Sequence, residues 1–293
     1  MAKAYVFYNP FAGNGGCEQR LDALRKTVPN ELVFCDLTKE ETYEQSLFEL
    51  KEEDSLILCG GDGTLNQFIN ITEDIQLPCE IFYYPIGNNN DFARDLGKKA
   101  GDTPFRITPY LKQLPIAEIG NRRYRFLNGI CCGHLGAYFQ ESGKEQLDHP
   151  KRTSHSIRAT LRKLLLHGNA ADMRVTVDGI LHSYRQVWLA LTMNGRFYGG
   201  MTPTPEQDRS NPESLLSVMI LHNAGKLKVW SVFPSLFTGN YIKHRDVVDV
   251  LTGRNIQMEL EEPETLGLDG NRISGVDFYR AFHREDSVRI GSY

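Results

Sequence analysis

The sequence predicts an α/β domain followed by an all-β domain, and three observations carry that prediction. Over the first hundred or so residues, short apolar runs alternate with stretches of helical period, the pattern of a parallel sheet with helices on both faces. Every loop rich in glycine and asparagine in that stretch follows a predicted strand: "YNPFAGNGG", "GGDGT" and "PIGNNNDFAR". Beyond about residue 115, strand-like runs succeed one another with few helical patterns, as in a β-rich domain.

Taken in order, "KAYVFY" (3–8), "ELVFCD" (31–36), "SLILC" (55–59) and "EIFYY" (80–84) read as strands, separated by helical patterns near 17–27, 40–50 and 64–74. The third strand is the most informative. Leu56 to Cys59 have the length of a buried strand, and Gly60, Gly61 and Gly63 free the backbone for a tight turn. From Thr64 onward Leu65, Phe68, Ile69 and Ile75 recur at helical spacing, with Thr64 or Asp62 placed to act as N-cap. In the second half the strand candidates are "YRFLNGI", "MRVTVDG", "RQVWLALTMN", "LLSVMIL", "NIQMEL" and "SVRIG", and the helical exceptions are 155–168 and 226–240. The expected division is 1–115, an α/β domain, and 116–280, a β domain. Residues 281–293 are expected to return a strand to the first domain.

Composition narrows the function classes. The chain has 293 residues, 41% hydrophobic and 24% charged, which is globular and excludes fibre and disorder. A net charge of -4 gives no general attraction to nucleic acid. No apolar run approaches the roughly 20 residues that span a bilayer, and "MAKAYVFYNP" lacks the regions of a signal peptide. A cytoplasmic protein is expected. Six cysteines without a C-x-x-C pair read as reduced, buried thiols. The eight histidines show no metal-ligand spacing.

A strand, glycines and a helix start form an anion-binding corner, and Asp62 is the unexpected residue in it. A bare carboxylate beside phosphates is repelled unless a cation bridges them or hydroxyl and N–H groups intervene. The alternative is that Asp62 only caps the helix. Neither G-x-x-x-x-G-K-[ST] nor a strand-linked G-x-G-x-x-G is present, so no P-loop or ordinary dinucleotide fingerprint explains the loop.

"NPFAGNGG", "GGDGTLNQFIN" and "PIGNNNDFAR", in that order, resemble the catalytic domain of the diacylglycerol kinase and sphingosine kinase superfamily, particularly the small bacterial lipid kinases. The resemblance continues through "AEIG", "FLNGICCG", "MNGRFYGGM" and "FTGNY" to "LGLDGN". It implies a Rossmann-like, NAD kinase-like α/β domain that binds nucleotide (1–115), a larger C-terminal β-sandwich for the lipid substrate (116–280) and a nucleotide cleft between them. It also implies ATP and Mg²⁺. By the same resemblance Asn9, Gly61, Asp62, Gly63, Thr64, Asn88 and Asn90 would hold ATP, Asp91 would lie on the metal or substrate side of the cleft, and Asp62 and Glu118 would reach Mg²⁺. Asp91 read alone could equally cap the helix "FARDL". Asp269 would be the general base that takes the proton of a lipid hydroxyl. Spacing alone makes Asp269-Gly270 a hairpin turn, as it does Asp178-Gly179.

The chain departs from the family pattern at four places. Asn88 stands where a threonine is usual, and Asn271 replaces the Glu that commonly follows D-G. "CGHLGA" lacks an acid after its glycine. "TPTPEQDRSNPESLLSV" carries a short insertion, with Glu213 and Ser214 in place of D-G. Helix 155–168, with Arg158, Arg162, Lys163 and four leucines, fits either a core-packing helix or one lying on an anionic membrane at the inner surface. Helix 226–240, with Leu227, Trp230, Phe233, Leu236 and Phe237, fits either core or lipid pocket. The expected function is an ATP-dependent lipid kinase acting on a diacylglycerol-like alcohol. The alternatives are a noncatalytic nucleotide- or lipid-binding protein and a kinase of a soluble alcohol.

Overall fold

In the computed structural model of the chain, residues 2–13, 16–135, 170–210 and 215–283 are described. Strands β1 (Lys3–Tyr8), β2 (Glu31–Asp36), β3 (Ser55–Gly60) and β4 (Glu80–Pro85) run parallel in the order β2-β1-β3-β4. A two-residue strand, β5 (Phe105–Arg106), closes the edge antiparallel to β4. Alternation along β1 sends Tyr5 and Phe7 to the layer under α2 (Glu40–Glu49) and α3 (Asp62–Ile71). Ala4 and Val6 pack instead with Leu21 and Leu24 of α1 (Cys17–Thr27). Both faces are therefore apolar, which is why these strands read as continuous hydrophobic runs.

Tyr8 pairs with Cys59 and Gly60 with Pro85, so the loops leaving β1, β3 and β4 start side by side. The crevice beyond such strand ends, where strand order reverses, is where α/β sheets take their ligands. Helix α3 begins at Asp62, two residues before the expected start, with Gly61 in extended conformation as its N-cap and no side-chain cap. Neither Asp62 nor Thr64 caps it, because the Asp62 carboxylate is turned to the helix after β4. The helix also stops at Ile71, leaving Ile75 beyond it and 39% exposed.

The second sheet begins at Ile116, ten strands with the main order β13-β12-β11-β8-β14-β15-β6-β7 and β9 and β10 to the side. Its members are β6 (Ile116–Ile119), β7 (Arg122–Arg125), β8 (Gly129–Cys132), β9 (Ala171–Val177), β10 (Ile180–Val187), β11 (Leu189–Met193), β12 (Leu216–Leu221), β13 (Val248–Gly253), β14 (Asn255–Leu268) and β15 (Asn271–Phe282). Strand β14 makes the sandwich: Ile256 to Leu260 pair with β9, whereas Gly267 and Leu268 pair with β8. The register breaks between Glu259 and Glu264, around Pro263, whose missing N–H cannot join a ladder. Met173, Val175, Ile220, Met258, Leu266 and Tyr279 fill the space between layers, as inner faces of packed sheets do.

Several elements depart from expectation. "NIQMEL" is only the first part of β14, and β13 and β15 were not legible as strands. Helix α5 (Lys226–Thr238) buries Val229, Val232, Phe233 and Leu236, but Leu227 and Trp230 are exposed, at 89% and 42%. They are therefore neither core nor lining of an internal pocket. Residues 281 and 282 end β15 in the second sheet. Residues 284–293 of the expected return strand, the basic helix with Arg158, Arg162 and Lys163, and Glu213 and Ser214 lie outside the described residues. No helix among the described residues is long and apolar enough to cross a membrane.

Candidate active site

The loops after β1, β3 and β4 face the β14–β15 turn across a cleft of about 440 Å³. Asn9, Gly61, Asp62, Gly63, Thr64 and Asn88 line it from the α/β side, together with Asp91, while Asp269 lines it from the β domain. Close approach of backbones shapes the α/β wall. A side chain on Gly87 would collide with the Cα of Gly61, and one on Gly61 would sit tightly against the Cα of Gly87, so the close approach of the two loops requires glycine at 87 and favours it at 61.

Two of the expected ligand residues lie elsewhere. Asn90, in left-handed conformation at φ 50°, uses its amide to close the loop, accepting from the Gly87 N–H at 2.9 Å and donating to the Gly87 carbonyl at 2.6 Å. Asn89 lines the cleft in its place. Glu118 on β6 pairs with Arg123 at 2.8 Å and Arg280 at 3.8 Å and is not among the lining residues. Arg280 is its partner across the β-ladder with β15.

Asp62 answers the puzzle of an acid in an anion corner. Its Oδ2 accepts the N–H of Asp91 at 2.9 Å, and its Oδ1 accepts the N–H of Phe92 at 2.9 Å and the Asn128 side-chain amide at 3.0 Å. It therefore caps a second helix, α4 (Asp91–Asp95), from across the loop, satisfying donors that a helix start leaves open. Asp91, its neighbour, is buried, with the Gly200 N–H 3.2 and 3.3 Å from its two oxygens. Burial first, and then the charge of Asp62, push the Asp91 carboxyl from 3.8 up to about 8. Asp91 stands at the first turn of α4 rather than at its cap, which is Asn90.

Asp269 and Gly270, at φ 48° and 93°, form the hairpin turn between β14 and β15, and Asp178 and Gly179 repeat it at 49° and 86° between β9 and β10. Both turns point the carboxylate at the backbone of a neighbouring segment. Asp178 is exposed and accepts the N–H groups of Arg254 and Asn255. Asp269 is buried, and its oxygens accept the N–H groups of Leu127 (2.5 Å), Asn128 (2.8 Å) and Gly129 (2.9 Å) and the Asn66 amide (3.1 Å). Four donors match the roughly four acceptor positions of a carboxylate, so no lone pair is spare in this arrangement. Burial still outweighs the N–H groups and raises the Asp269 carboxyl to about 6.

Residues 3–114 match the family described as diacylglycerol kinase catalytic domain, and residues 144–279 match the YegS C-terminal NAD kinase beta sandwich-like domain. The chain belongs to the diacylglycerol kinase superfamily. It is a lipid kinase, a phosphotransferase of that superfamily's class. It is similar to the diacylglycerol kinase of Bacillus subtilis (strain 168), with 23% identity over 301 residues, 97% of this chain and 96% of that protein. A diacylglycerol kinase from Bacillus anthracis str. Sterne shares the fold, with a TM-score of 0.61 at 18% identity over 96% of this chain and 93% of the other.

Against the superfamily pattern, the structure shows what Asn271 does. Its amide donates to Asn66 Oδ1 at 2.7 Å, and Asn66 donates in turn to Asp269 and to the Arg125 carbonyl. The position after D-G thus reaches Asp269 through one intervening amide. Sequence reasoning missed Asn66, Asn128 and Tyr198. Asn66 was inside "GGDGTLNQFIN" and Asn128 inside "FLNGICCG", both quoted motifs, so an asparagine next to the glycines was the available signal. Tyr198, buried against the cleft, was likewise inside a quoted motif, "MNGRFYGGM", directly before its two glycines.

Proposed function

We propose that the protein transfers the γ-phosphoryl group of ATP to the hydroxyl of a diacylglycerol-like lipid, assisted by Mg²⁺, with Asp269 receiving the hydroxyl proton. The observation that carries this reading is the meeting of the three glycine-asparagine loops with Asp269 in one cleft. Nucleotide phosphates set against the α/β wall would present the γ-phosphoryl group to an acceptor held from the β side. Phosphoryl transfer asks mostly for positioning and charge stabilisation, and backbone N–H groups at the loops supply part of both.

The residues fit a divalent cation of the nucleotide-bridging kind. Mg²⁺ is commonly held by one or two carboxylates together with substrate phosphates, and Asp62 and Asp91 offer two carboxyls on the same wall. Asp62 Oδ2 accepts a single hydrogen bond among the described residues, so an acceptor position on it is open. The cation would neutralise charge on the phosphates. Among the described residues no cluster of three or more His, Cys, Asp or Glu forms a cage.

For Asp269 to act as base, one donor must yield. Asn66 is the side-chain donor among the four, and its swing would open a lone pair on Oδ2 while the three backbone N–H groups keep the carboxylate in place. A base raised to about 6 accepts a proton more readily than a free carboxylate, and general-base assistance is worth roughly 10² to 10⁴ in rate. Contact with an anionic membrane surface through Arg158, Arg162 and Lys163 belongs to the same proposal, since the acceptor resides in a bilayer.

The test is transfer of label from γ-labelled ATP with Mg²⁺ to mixed micelles of diacylglycerol, monoacylglycerol, sphingoid base or phosphatidylglycerol. Label in the diacylglycerol product supports the reading. No label in any lipid despite measurable Mg-ATP binding, or label in glycerol alone, refutes it.

A further inference from the structure

Asp95, at the end of α4, is buried, and two arginines of the second domain converge on it. Arg196 Nε lies 2.6 Å from Oδ1 and Arg209 Nε 2.5 Å from Oδ2. The Arg196 side chain is 42% exposed but that of Arg209 only 6%, so Arg209 is an interior charge and needs interior partners. It has them. Nη1 donates to the Leu127 carbonyl at 3.2 Å, Nη2 donates to Asn128 Oδ1 at 3.1 Å, and the guanidinium carbon sits 4.8 Å from the centre of the Phe92 ring. Asn128 is also the residue whose amide donates to Asp62 and whose backbone N–H donates to Asp269.

We propose that Arg209 is a positioning residue for phosphoryl transfer, acting through Asn128. The two ends of a carboxamide have nearly the same shape and differ in what they offer, one accepting and the other donating. With the guanidinium against Oδ1, the amide nitrogen of Asn128 must face Asp62. Without it, Oδ1 loses its donor, and the amide is free to turn an oxygen toward the Asp62 carboxylate. Asp62 holds the start of α4 and stands beside Asp91, so a misdirected Asn128 shifts the acid pair although Arg209 itself does not line the cleft.

Two further observations agree. A methyl group on Gly195 would overlap the Arg209 guanidinium and approach Asp95 Oδ2 to 2.8 Å, so this glycine leaves the space that the ion pair occupies. Arg209 also lies in "TPTPEQDRSNPESLLSV", the segment in which the sequence departs from the superfamily pattern. A salt bridge to Asp95 would account for Nε alone. The fork geometry, which one ammonium could not reproduce, is what reaches Leu127 and Asn128 as well.

The inference rests on the phosphotransfer reading, and a double-mutant cycle tests it separately. The variants are Arg209→Met, Arg209→Lys, Gly195→Ala, Asn128→Ala and the Arg209→Met/Asn128→Ala pair, each measured for kcat, KM for ATP, Kd for Mg-ATP and urea midpoint. Arg209→Met and Gly195→Ala are expected to lower kcat by roughly 10- to 100-fold, the scale of a misplaced site. In the Asn128→Ala background, Arg209→Met is expected to lower it by less than about 3-fold more, because coupled residues are non-additive. Arg209→Lys keeps the charge on Asp95 but not the fork that reaches Asn128, and is expected to lose kcat as Arg209→Met does while losing less of the urea midpoint than Arg209→Met. Equal losses in both backgrounds, or a lower midpoint with full kcat, would overturn the proposal. If wild type labels no lipid, the substrate reading falls, and the cycle is decided on the Kd for Mg-ATP by the same additivity criterion. A wild type that binds no Mg-ATP overturns both.

Discussion

Raising the pH of the nucleotide-free protein is expected to loosen it, and Asp91 sets the range. Burial, reinforced by the negative charge of Asp62 and opposed by the Gly199 and Gly200 N–H groups and Arg94, moves its carboxyl from 3.8 to about 8. In the unfolded chain the group ionises near 3.9, so between about pH 4 and 8 the folded protein holds a proton that the unfolded chain has lost. The stability due to that proton is fully present below about pH 4 and disappears as the pH climbs through 8. At about 1.36 kcal/mol per pH unit, the loss is on the order of 5 kcal/mol. Asp269, raised to about 6, loses stability in the same direction but has finished titrating by about pH 7. Urea midpoints measured between about pH 6.5 and 7.5, below the range in which the unfolded chain's thiols ionise, should therefore fall mainly because of Asp91. Asp91→Asn removes the titration: it is expected to flatten the slope and raise the midpoint at the alkaline end, while weakening Mg-ATP binding. A wild-type midpoint that holds or rises over that range, or a slope that survives Asp91→Asn, would refute the reasoning.

Asp62→Ala strips three donors of their acceptor and is expected to cost about 2 kcal/mol or more by urea unfolding, with loss of Mg-ATP affinity by calorimetry; an unchanged midpoint would deny the capping role. Asn271→Ala releases Asn66 from one side, which eases the swing that opens a lone pair on Asp269, and is expected to raise kcat by about 3-fold with little change in stability, at roughly 1 kcal/mol for a part-buried hydrogen bond; a lowered kcat would deny that Asn66 is the donor that yields. Glu118→Gln is expected to leave the Mg²⁺ dependence of turnover unchanged and to cost under about 1 kcal/mol, since it breaks partly exposed ion pairs; a tenfold shift in Mg²⁺ dependence would restore Glu118 to the metal site. Neutralising Arg158, Arg162 and Lys163 together is expected to reduce retention on anionic vesicles, and the wild type's retention should fall with salt; retention indifferent to both would remove this segment from membrane contact.

What the sequence determined by itself was the periodic part and the motif part. Strands β1 to β4 were legible because both faces of their sheet are covered, and the three loops were legible because tight turns at the ends of those strands draw on glycine and asparagine. The D-G of Asp269 was legible as a turn, and only the resemblance separated it from the D-G of Asp178. The tertiary structure decided where the polar groups spend their hydrogen bonds. Asp62 caps α4, thirty residues on, because loop packing at Gly61 and Gly87 brings the two helix starts together. Asn90 closes its own loop, and Glu118 is held by arginines that sheet pairing and a hairpin place beside it. Strand β15 escaped notice because burial along it is interrupted: Ser274, Gly275, Asp277 and Phe278 are exposed, with Val276 buried between them. Asn66, Asn128 and Arg209 meet Asp62, Asp95 and Asp269 across segments up to about two hundred residues apart. A local sequence pattern records which groups can donate and accept; which of them meet is set by the folding of one domain against the other, and that is where this lipid kinase assembles its site.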